Sequence, residues 1–374
     1  MIILVNALSA RQGGGQTYLI HLLQHLPNNP AVRIILLAPD SLRIASDDRI
    51  VRIKEPSLSR APVTRALWEK FMLARLVERF DADVLFCPGG VIGGNVRSTC
   101  KTVTMFRNMI PFDYEMRRRY KLVFTRTRLW VLRREMLRSM QRADLVIFVS
   151  EFARTVIEKA NRGALKKSLV IPHGISPEFR VADKEIPQPV GLPQGGYLLY
   201  VSILDFYKAQ IEVVQGYAKA LRRRGRLPAL LLVGPEDKEY GHRLRAQIAE
   251  LGVQDQVLLL GAVPYIDLPA LYKNALINIF ASESENCPNI LLEALAAGRP
   301  LLSSSCPPMP EFAQNAALYF DPRSPDDFAN GLERLIDDVD LRGELAKKAK
   351  ERSARFDWAE TASATWDAIL RLKT

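Results

Sequence analysis

The sequence predicts an α/β protein made of two doubly wound, Rossmann-like domains, and three observations predict it. Short apolar runs alternate with amphipathic stretches along 374 residues, the pattern of repeated βα units and so of parallel sheets. That length exceeds what one ordinary hydrophobic core needs. Between two such series lies a stretch, 177–196, carrying Pro177, Pro187, Pro189, Pro193, Gly191, Gly195 and Gly196, the composition of a linker. The expected divisions are 1–185, 186–355 and a terminal helical segment 356–374.

The first domain opens with an apolar strand over 1–6, a loop containing Gly13-Gly14-Gly15 and a helix over 17–26. Glycines at that turn let the backbone approach a ligand and open the helix. Strands at 32–38, 84–87 and 102–106 and a helix at 63–80 continue the series. Asp81-Ala82-Asp83 precedes a buried strand, where acidic residues cap loops, and His21 and His25 share a helix face without a third ligand nearby; no metal site is expected. The strand at 102–106 runs into Arg107 and Asn108. Open sheets collect functional groups at such strand ends, and a guanidinium suits phosphate while an amide suits sugar hydroxyls. Residues 115–141 set nine Lys and Arg among Phe124, Trp130 and Leu132. They read as one or two basic amphipathic helices, fitted to an anionic membrane surface or else packed on the core with a solvated outer face. A strand at 144–149, a helix capped by Ser150 and a strand at 169–172 ending in His173-Gly174 complete the domain.

The second series has strands at 197–203, 229–234, 257–261, 276–280, 301–304 and 318–321, with a helix opening at Lys208 and running to 223. Helices at 325–338, 341–355 and 356–373 close the chain. Charge divides unevenly. Residues 1–180 hold 30 Lys and Arg against 15 Asp and Glu, residues 181–374 hold 22 against 26, so an acidic ligand or anionic surface should approach the first domain. No helix-turn-helix, zinc or stacking motif accompanies that charge, and nucleic acid is not an expected partner. No apolar run reaches the roughly 18 residues of a membrane span. The N-terminal strand lacks the basic start and cleavage site of a secretory signal, so the expected place is the cytoplasm, peripheral to the inner face of the cell membrane. Cys87, Cys100, Cys287 and Cys306 have no ligand spacing and read as buried thiols.

The most informative stretch is 281–300, ASESENCPNILLEALAAGRP. It follows a strand, passes through a polar loop and becomes a helix near Pro288 that stops at Gly298 before Pro300. Glu285 falls in the loop at the helix N-terminus and Glu293 inside the helix, with seven residues between them. The N-terminus offers unpaired N–H groups to an anion, and carboxylates accept from hydroxyl donors. Phosphate plus hydroxyls describes a sugar nucleotide.

At these residues, E-x7-E followed by E-A-L-A-x-G-x-P, the chain resembles the retaining glycosyltransferases of family 4, which share the GT-B architecture of two Rossmann-like domains facing each other across a cleft. The resemblance implies that Glu285 contacts the donor sugar, Glu293 the ribose, and the amides around Asn286, Cys287 and Asn289 the sugar or diphosphate. It places Gly14 and Gly15 near the donor phosphates, Val263 against the nucleotide base, Lys208 on the diphosphate, and Arg107, Asn108 and His173 on the acceptor side of the cleft. The expected catalytic set is Glu285, Lys208, Arg107 and Asn108. Three departures stand out. Asn286-Cys287-Pro288 replaces the usual Gly-Phe-Gly, Ser202-Ile203-Leu204 replaces Gly-Arg-Leu, and Arg107 stands where many members have His. The implied activity is retaining transfer of a sugar from a nucleoside diphosphate to a hydroxyl of a glycan or lipid-linked acceptor in cell-envelope polysaccharide synthesis, with no metal or other cofactor. A sugar-nucleotide epimerase of the same fold and a non-enzymatic anion- or membrane-binding scaffold are the alternatives.

Overall fold

The computed structural model describes residues 1–11, 13–120, 123–161, 165–181, 192–193 and 196–373. These form two compact units, Met1–Gly174 with Trp358–Thr374, and Ile175–Asp357. The break falls earlier than residue 185, because Phe179, in the short turn Pro177–Arg180, is buried in the second unit's core, and Ile175 bridges to Asp357 within that unit. Most of the proline-rich stretch lies outside the described residues.

In the first unit the chain runs β1 (Ile2–Asn6), α1 (Gly14–Gln24), β2 (Arg33–Leu37), β3 (Ile50–Ile53), α2 (Pro62–Arg79), β4 (Val84–Cys87), β5 (Lys101–Phe106), α3 (Tyr114–Arg119), α4 (Val123–Arg142), β6 (Leu145–Phe148), α5 (Glu151–Asn161) and β7 (Ser168–Val170). All seven strands pair in parallel, in the order β3-β2-β1-β4-β5-β6-β7. The central strands are buried along their length, as β4 and β6 show, because helices cover both faces of such a sheet. β3 was not among the expected strands. It is an edge strand whose Val51 and Arg52 are exposed, so it lacks the buried run that marks the others. Helix α1 starts at Gly14, three residues ahead of expectation, since Gly13 takes a positive φ of 62° as its N-cap. That conformation costs glycine little. Ser150 Oγ accepts from the Ala153 amide at 3.1 Å, the capping read from sequence.

The second unit continues with β8 (Leu198–Val201), α6 (Gln210–Arg224), β9 (Leu230–Val233), α7 (Lys238–Leu251), β10 (Val257–Gly261), α8 (Leu268–Asn274), β11 (Ile277–Phe280), α9 (Asn289–Ala296), β12 (Leu301–Ser304), α10 (Met309–Ala313), β13 (Leu318–Phe320), α11 (Pro325–Asp337) and α12 (Val339–Ser353). Six parallel strands take the order β10-β9-β8-β11-β12-β13. The last helix, α13 (Trp358–Leu370), belongs to the first unit and packs on α1. Its Trp366 is buried there and donates Nε1 to the Leu22 carbonyl at 3.1 Å. Each sheet reverses its strand order once, between β1 and β4 and between β8 and β11. The loops leaving those four strands are where a doubly wound domain opens a crevice at the carboxyl ends of its strands.

Candidate functional site

In the first unit the reversal point gathers Gly14, Gly15 and Arg107. Arg107, leaving β5, donates Nε to the Pro88 carbonyl at 3.0 Å and Nη1 to the Gly14 carbonyl at 3.5 Å. A Cβ on Gly15 would lie 3.3 Å from Arg107 Nη2, so the guanidinium packs against the glycine loop because no side chain intervenes. The guanidinium also sits 5.3 Å from the Tyr18 ring centroid, a cation–π contact. Burial pushes the Tyr18 phenol up to about 12, against the opposing pull of Thr365 and Arg107. The His173 ring lies 5.6 Å from Tyr18 and 5.4 Å from Trp358, so His173 joins this group through aromatic packing. Asn108 does not converge on it. It is exposed, and its Oδ1 closes the local turn by accepting from the Ile110 amide at 3.2 Å.

One acidic group here was invisible in the sequence. Glu69 is buried in α2 and accepts from Asn6 Nδ2, at the end of β1, at 3.1 Å. Burial raises its carboxyl, with Asn6 and Arg65 pulling the other way. A glutamate inside an amphipathic helix ordinarily reads as solvated, so no periodic signal marks it. Asp81 and Asp83 have structural partners, Arg97 at 2.6 Å and Lys373 at 2.8 Å, and among the described residues no acidic, His or Cys cluster has a metal-holding arrangement. His21, paired with His25 in sequence, stacks instead on Trp358 at 4.8 Å.

In the second unit the reversal point brings Lys208 and Glu285 into a direct ion pair. Lys208 does not open α6. It ends a 3-10 turn, Phe206–Lys208, capped by the Asp205 side chain, and α6 starts two residues later. The turn folds its side chain inward, leaving the residue 5% exposed, with Nζ 4.9 Å from the Tyr207 ring centroid and 5.7 Å from that of Phe280. The Glu283 amide donates to the Tyr207 carbonyl at 2.8 Å and so ties the two loops together. Glu283 itself pairs with Arg323 at 2.7 Å, which leaves Glu285 as the carboxylate facing Lys208.

Helix α9 starts at Asn289 with Pro288 at its N-cap, and Gly298 takes a positive φ of 64° just past its end, as the sequence predicts. Asn286 is buried and Asn289 half-buried. All four cysteines are free thiols, but only Cys87 and Cys100 are buried as expected, while Cys287 and Cys306 are half-buried at the edge of the second unit's core. Glu293, 7% exposed, accepts from Tyr265 Oη at 3.0 Å. Burial pushes its carboxyl up to about 8, against the Tyr265 hydrogen bond. Val263 is half-buried between β10 and Tyr265 in the chain. Tyr265 is the residue of this site that sequence reasoning missed, because an aromatic in a short loop carries no spacing signal.

Two doubly wound parallel-sheet units, one of which holds a Lys–Glu ion pair in the loops at its reversal point, define a two-domain α/β architecture. Comparison with known proteins narrows it. The family model for Glycosyltransferase Family 4 matches residues 12–179, and that for Glycosyl transferases group 1 matches residues 183–352. The chain belongs to this glycosyltransferase family. A D-inositol 3-phosphate glycosyltransferase of Salinispora arenicola is 30% identical over 184 residues, 46% of this chain and 41% of the relative. An O-antigen chain mannosyltransferase B of Escherichia coli is 26% identical over 239 residues, 62% of this chain and 61% of the relative. The chain thus matches about half the length of such curated relatives. Among solved structures, Anabaena Alr3699/HepE in complex with UDP and glucose superposes with a TM-score of 0.72 at 19% identity, covering 99% of this chain and 100% of that one. The fold is GT-B.

Proposed function

We propose that the protein is a retaining glycosyltransferase that moves a sugar from a nucleoside diphosphate to an acceptor hydroxyl. The Lys208–Glu285 pair at the reversal point of the second unit carries the reading. A cation beside a helix N-terminus suits a diphosphate, and a carboxylate in the same loop suits a sugar hydroxyl. In this reading Lys208 and the amides around Asn286, Cys287 and Asn289 hold the diphosphate, Glu285 the donor sugar and Glu293 the ribose, with Val263 beside the base. Gly14, Gly15 and Arg107 present the first unit's backbone and charge to the phosphates and acceptor, with Asn108 and His173 at the periphery. The donor's C1–O bond to the diphosphate breaks while the acceptor oxygen forms the new bond on the same face, and the leaving phosphate takes the acceptor's proton. Lys208 offsets the charge that grows on the leaving group, an electrostatic contribution of the kind that often dominates catalysis. The acceptor in this reading is a glycan or lipid-linked hydroxyl in cell-envelope polysaccharide synthesis; the likeness to an O-antigen chain mannosyltransferase supports the glycan.

Thermal melting with UDP, GDP, ADP and CMP in turn tests the donor site. One nucleoside diphosphate at about a hundred times its dissociation constant should stabilise the protein by about 2.7 kcal/mol, and Glu293→Ala should abolish the gain. Identical melting with and without every nucleotide overturns the reading. Donor turnover without an acceptor, yielding an altered sugar, would favour an epimerase.

The acceptor reading includes contact with an anionic membrane through residues 115–141. Among the described residues no helix is long and apolar enough to cross a membrane. On α4, however, Val123, Phe124 and Trp130 are 75%, 73% and 50% exposed. Tyr114, Arg117, Arg118, Arg126, Thr127 and Trp130 line a notch of about 350 Å³. Apolar side chains rimmed by arginines fit an anionic lipid interface. Each basic residue near such a surface contributes about 1 kcal/mol, so Arg118→Ala with Arg134→Ala should weaken binding to phosphatidylglycerol vesicles about thirtyfold in a flotation assay. Unchanged flotation of the variant argues for a merely solvated helix face, and wild-type binding indifferent to 0.5 M salt would mean that the arginine charges do not carry the contact.

A further inference from the structure

Glu293 does not stand alone inside α9. Pro264 launches the 3-10 turn Tyr265–Asp267 that leads into α8. The turn lays the Tyr265 ring edge-on to Phe179, 5.4 Å between centroids, and Phe179 in turn meets Tyr272 at 5.8 Å. Phe179 is 1% exposed and comes from the Pro177–Arg180 turn, which packs on α9. This stack fixes the direction of Tyr265. Although the residue is 46% exposed, its hydroxyl is held between two protein groups, Glu293 Oε1 at 3.0 Å and Ser176 Oγ at 3.3 Å. With its hydrogen donated to the carboxylate, the phenol oxygen accepts from Ser176.

We propose that Tyr265 is the positioning residue for Glu293: its hydroxyl, steadied by Ser176 and Phe179, fixes one carboxylate oxygen and leaves the other to accept from the ribose hydroxyls of the nucleotide. The inference rests on the reading that this unit binds a nucleoside diphosphate with its ribose at Glu293. The physical reason is orientation. A glutamate has three side-chain torsions, and freezing them before the ligand arrives removes an entropic cost of binding. The bond also favours the ionised carboxylate, the better acceptor for hydroxyl donors, in a place where burial opposes ionisation. Around α9 pack α8, α10, α12, β11 and the Pro177–Arg180 turn. The titratable groups that sense Glu293 from these elements and the turn ahead of α8 are Tyr265 and Tyr272, and Glu178 reaches Tyr265. Arg180 is turned away to backbone carbonyls, bonding that of Ser353 at 3.0 Å. Burial and Glu293 raise the Tyr265 phenol, which keeps it a donor through neutral pH.

The test is calorimetric titration between pH 6 and pH 9 with UDP, or with GDP or ADP where one of these stabilises the protein more, and with the 2′,3′-dideoxy analogue of the same nucleotide. Wild-type, Tyr265→Phe and Glu293→Gln proteins are compared. A hydrogen bond to a charged group corresponds to roughly tenfold or more in affinity. Tyr265→Phe should therefore weaken the ribonucleotide about tenfold at pH 7, leave the dideoxy analogue unaffected, and move the pH at which affinity levels off upward. Equal losses for both ligands would mean that Tyr265 only supports the loop, and an unchanged preference with an unchanged pH profile would mean that it does nothing for Glu293; either overturns the inference and leaves the nucleotide reading standing. Wild-type protein that binds no nucleoside diphosphate, or does not prefer the ribose form, removes that reading and the inference with it.

Discussion

Replacing Lys208 by methionine is expected to slow donor turnover by about a hundredfold to a thousandfold, the usual cost of deleting one preorganised group that stabilises charge in a transition state. Methionine keeps the length and apolar stem that lie against Tyr207 and Phe280 while removing the charge, so the loss reports electrostatics rather than packing. Glu285→Gln should cost activity as well, through the donor sugar. The pair makes a second, independent prediction about stability. The two side chains are 6% and 16% exposed, and removing one partner of a buried pair strands the other charge, at about 3 kcal/mol or more. Lys208→Met and Glu285→Gln should therefore each lower the denaturation midpoint, while the double variant recovers most of the loss and stays inactive. Additive losses in the double variant would show that the two charges are not coupled. A Lys208→Met protein within tenfold of wild-type turnover would remove Lys208 from the leaving-group site.

Without nucleotide, wild-type stability is expected to fall as pH rises from about 5 to about 8, and Glu293→Gln should abolish much of that slope. The sign follows from linkage. Glu293 moves from its ordinary value of 4.5 to about 8 in the folded protein. Between those values the unfolded chain has released the proton and the folded chain retains it, so each pH unit favours unfolding, by about 1.4 kcal/mol. The loss starts above the unfolded value, levels off above the folded one, and amounts to several kcal/mol, on the order of 4 to 5. Below pH 4.5 the group adds no slope. Chemical denaturation of the two proteins across that range measures it, and parallel curves would mean that Glu293 ionises as an ordinary surface carboxylate does. A ligand whose hydroxyls need the carboxylate would oppose the same trend, so nucleotide should stabilise the protein more at pH 8 than at pH 6.

Much of the fold was legible along the chain because its signals are local. Buried parallel strands are continuous apolar runs, and the predicted strand at 301–304 coincides with β12. The stop of α9 at Gly298 followed from glycine's freedom at positive φ. The edge strand β3 escaped because Val51 and Arg52 face solvent. Lys208 was displaced from the start of α6 to a 3-10 turn because Asp205 caps that turn and Ala209 then takes a left-handed φ of 53°, a conformation that alanine does not announce.

By itself the sequence determined the class of the protein: two βα series, the seven-residue spacing of Glu285 and Glu293, a basic first half and a helix N-terminus suited to an anion. Composition, period and spacing are properties of neighbours in the chain, and these features need nothing else. Only the tertiary structure decided which charges meet. Lys208 and Glu285 are 77 residues apart, Tyr265 and Glu293 are 28, and Asn6 and Glu69 are 63. Whether a carboxylate is solvated, paired with a lysine or buried beneath a tyrosine depends on what the sheet order folds against it, and that environment, not the residue's identity, sets its charge and its chemistry.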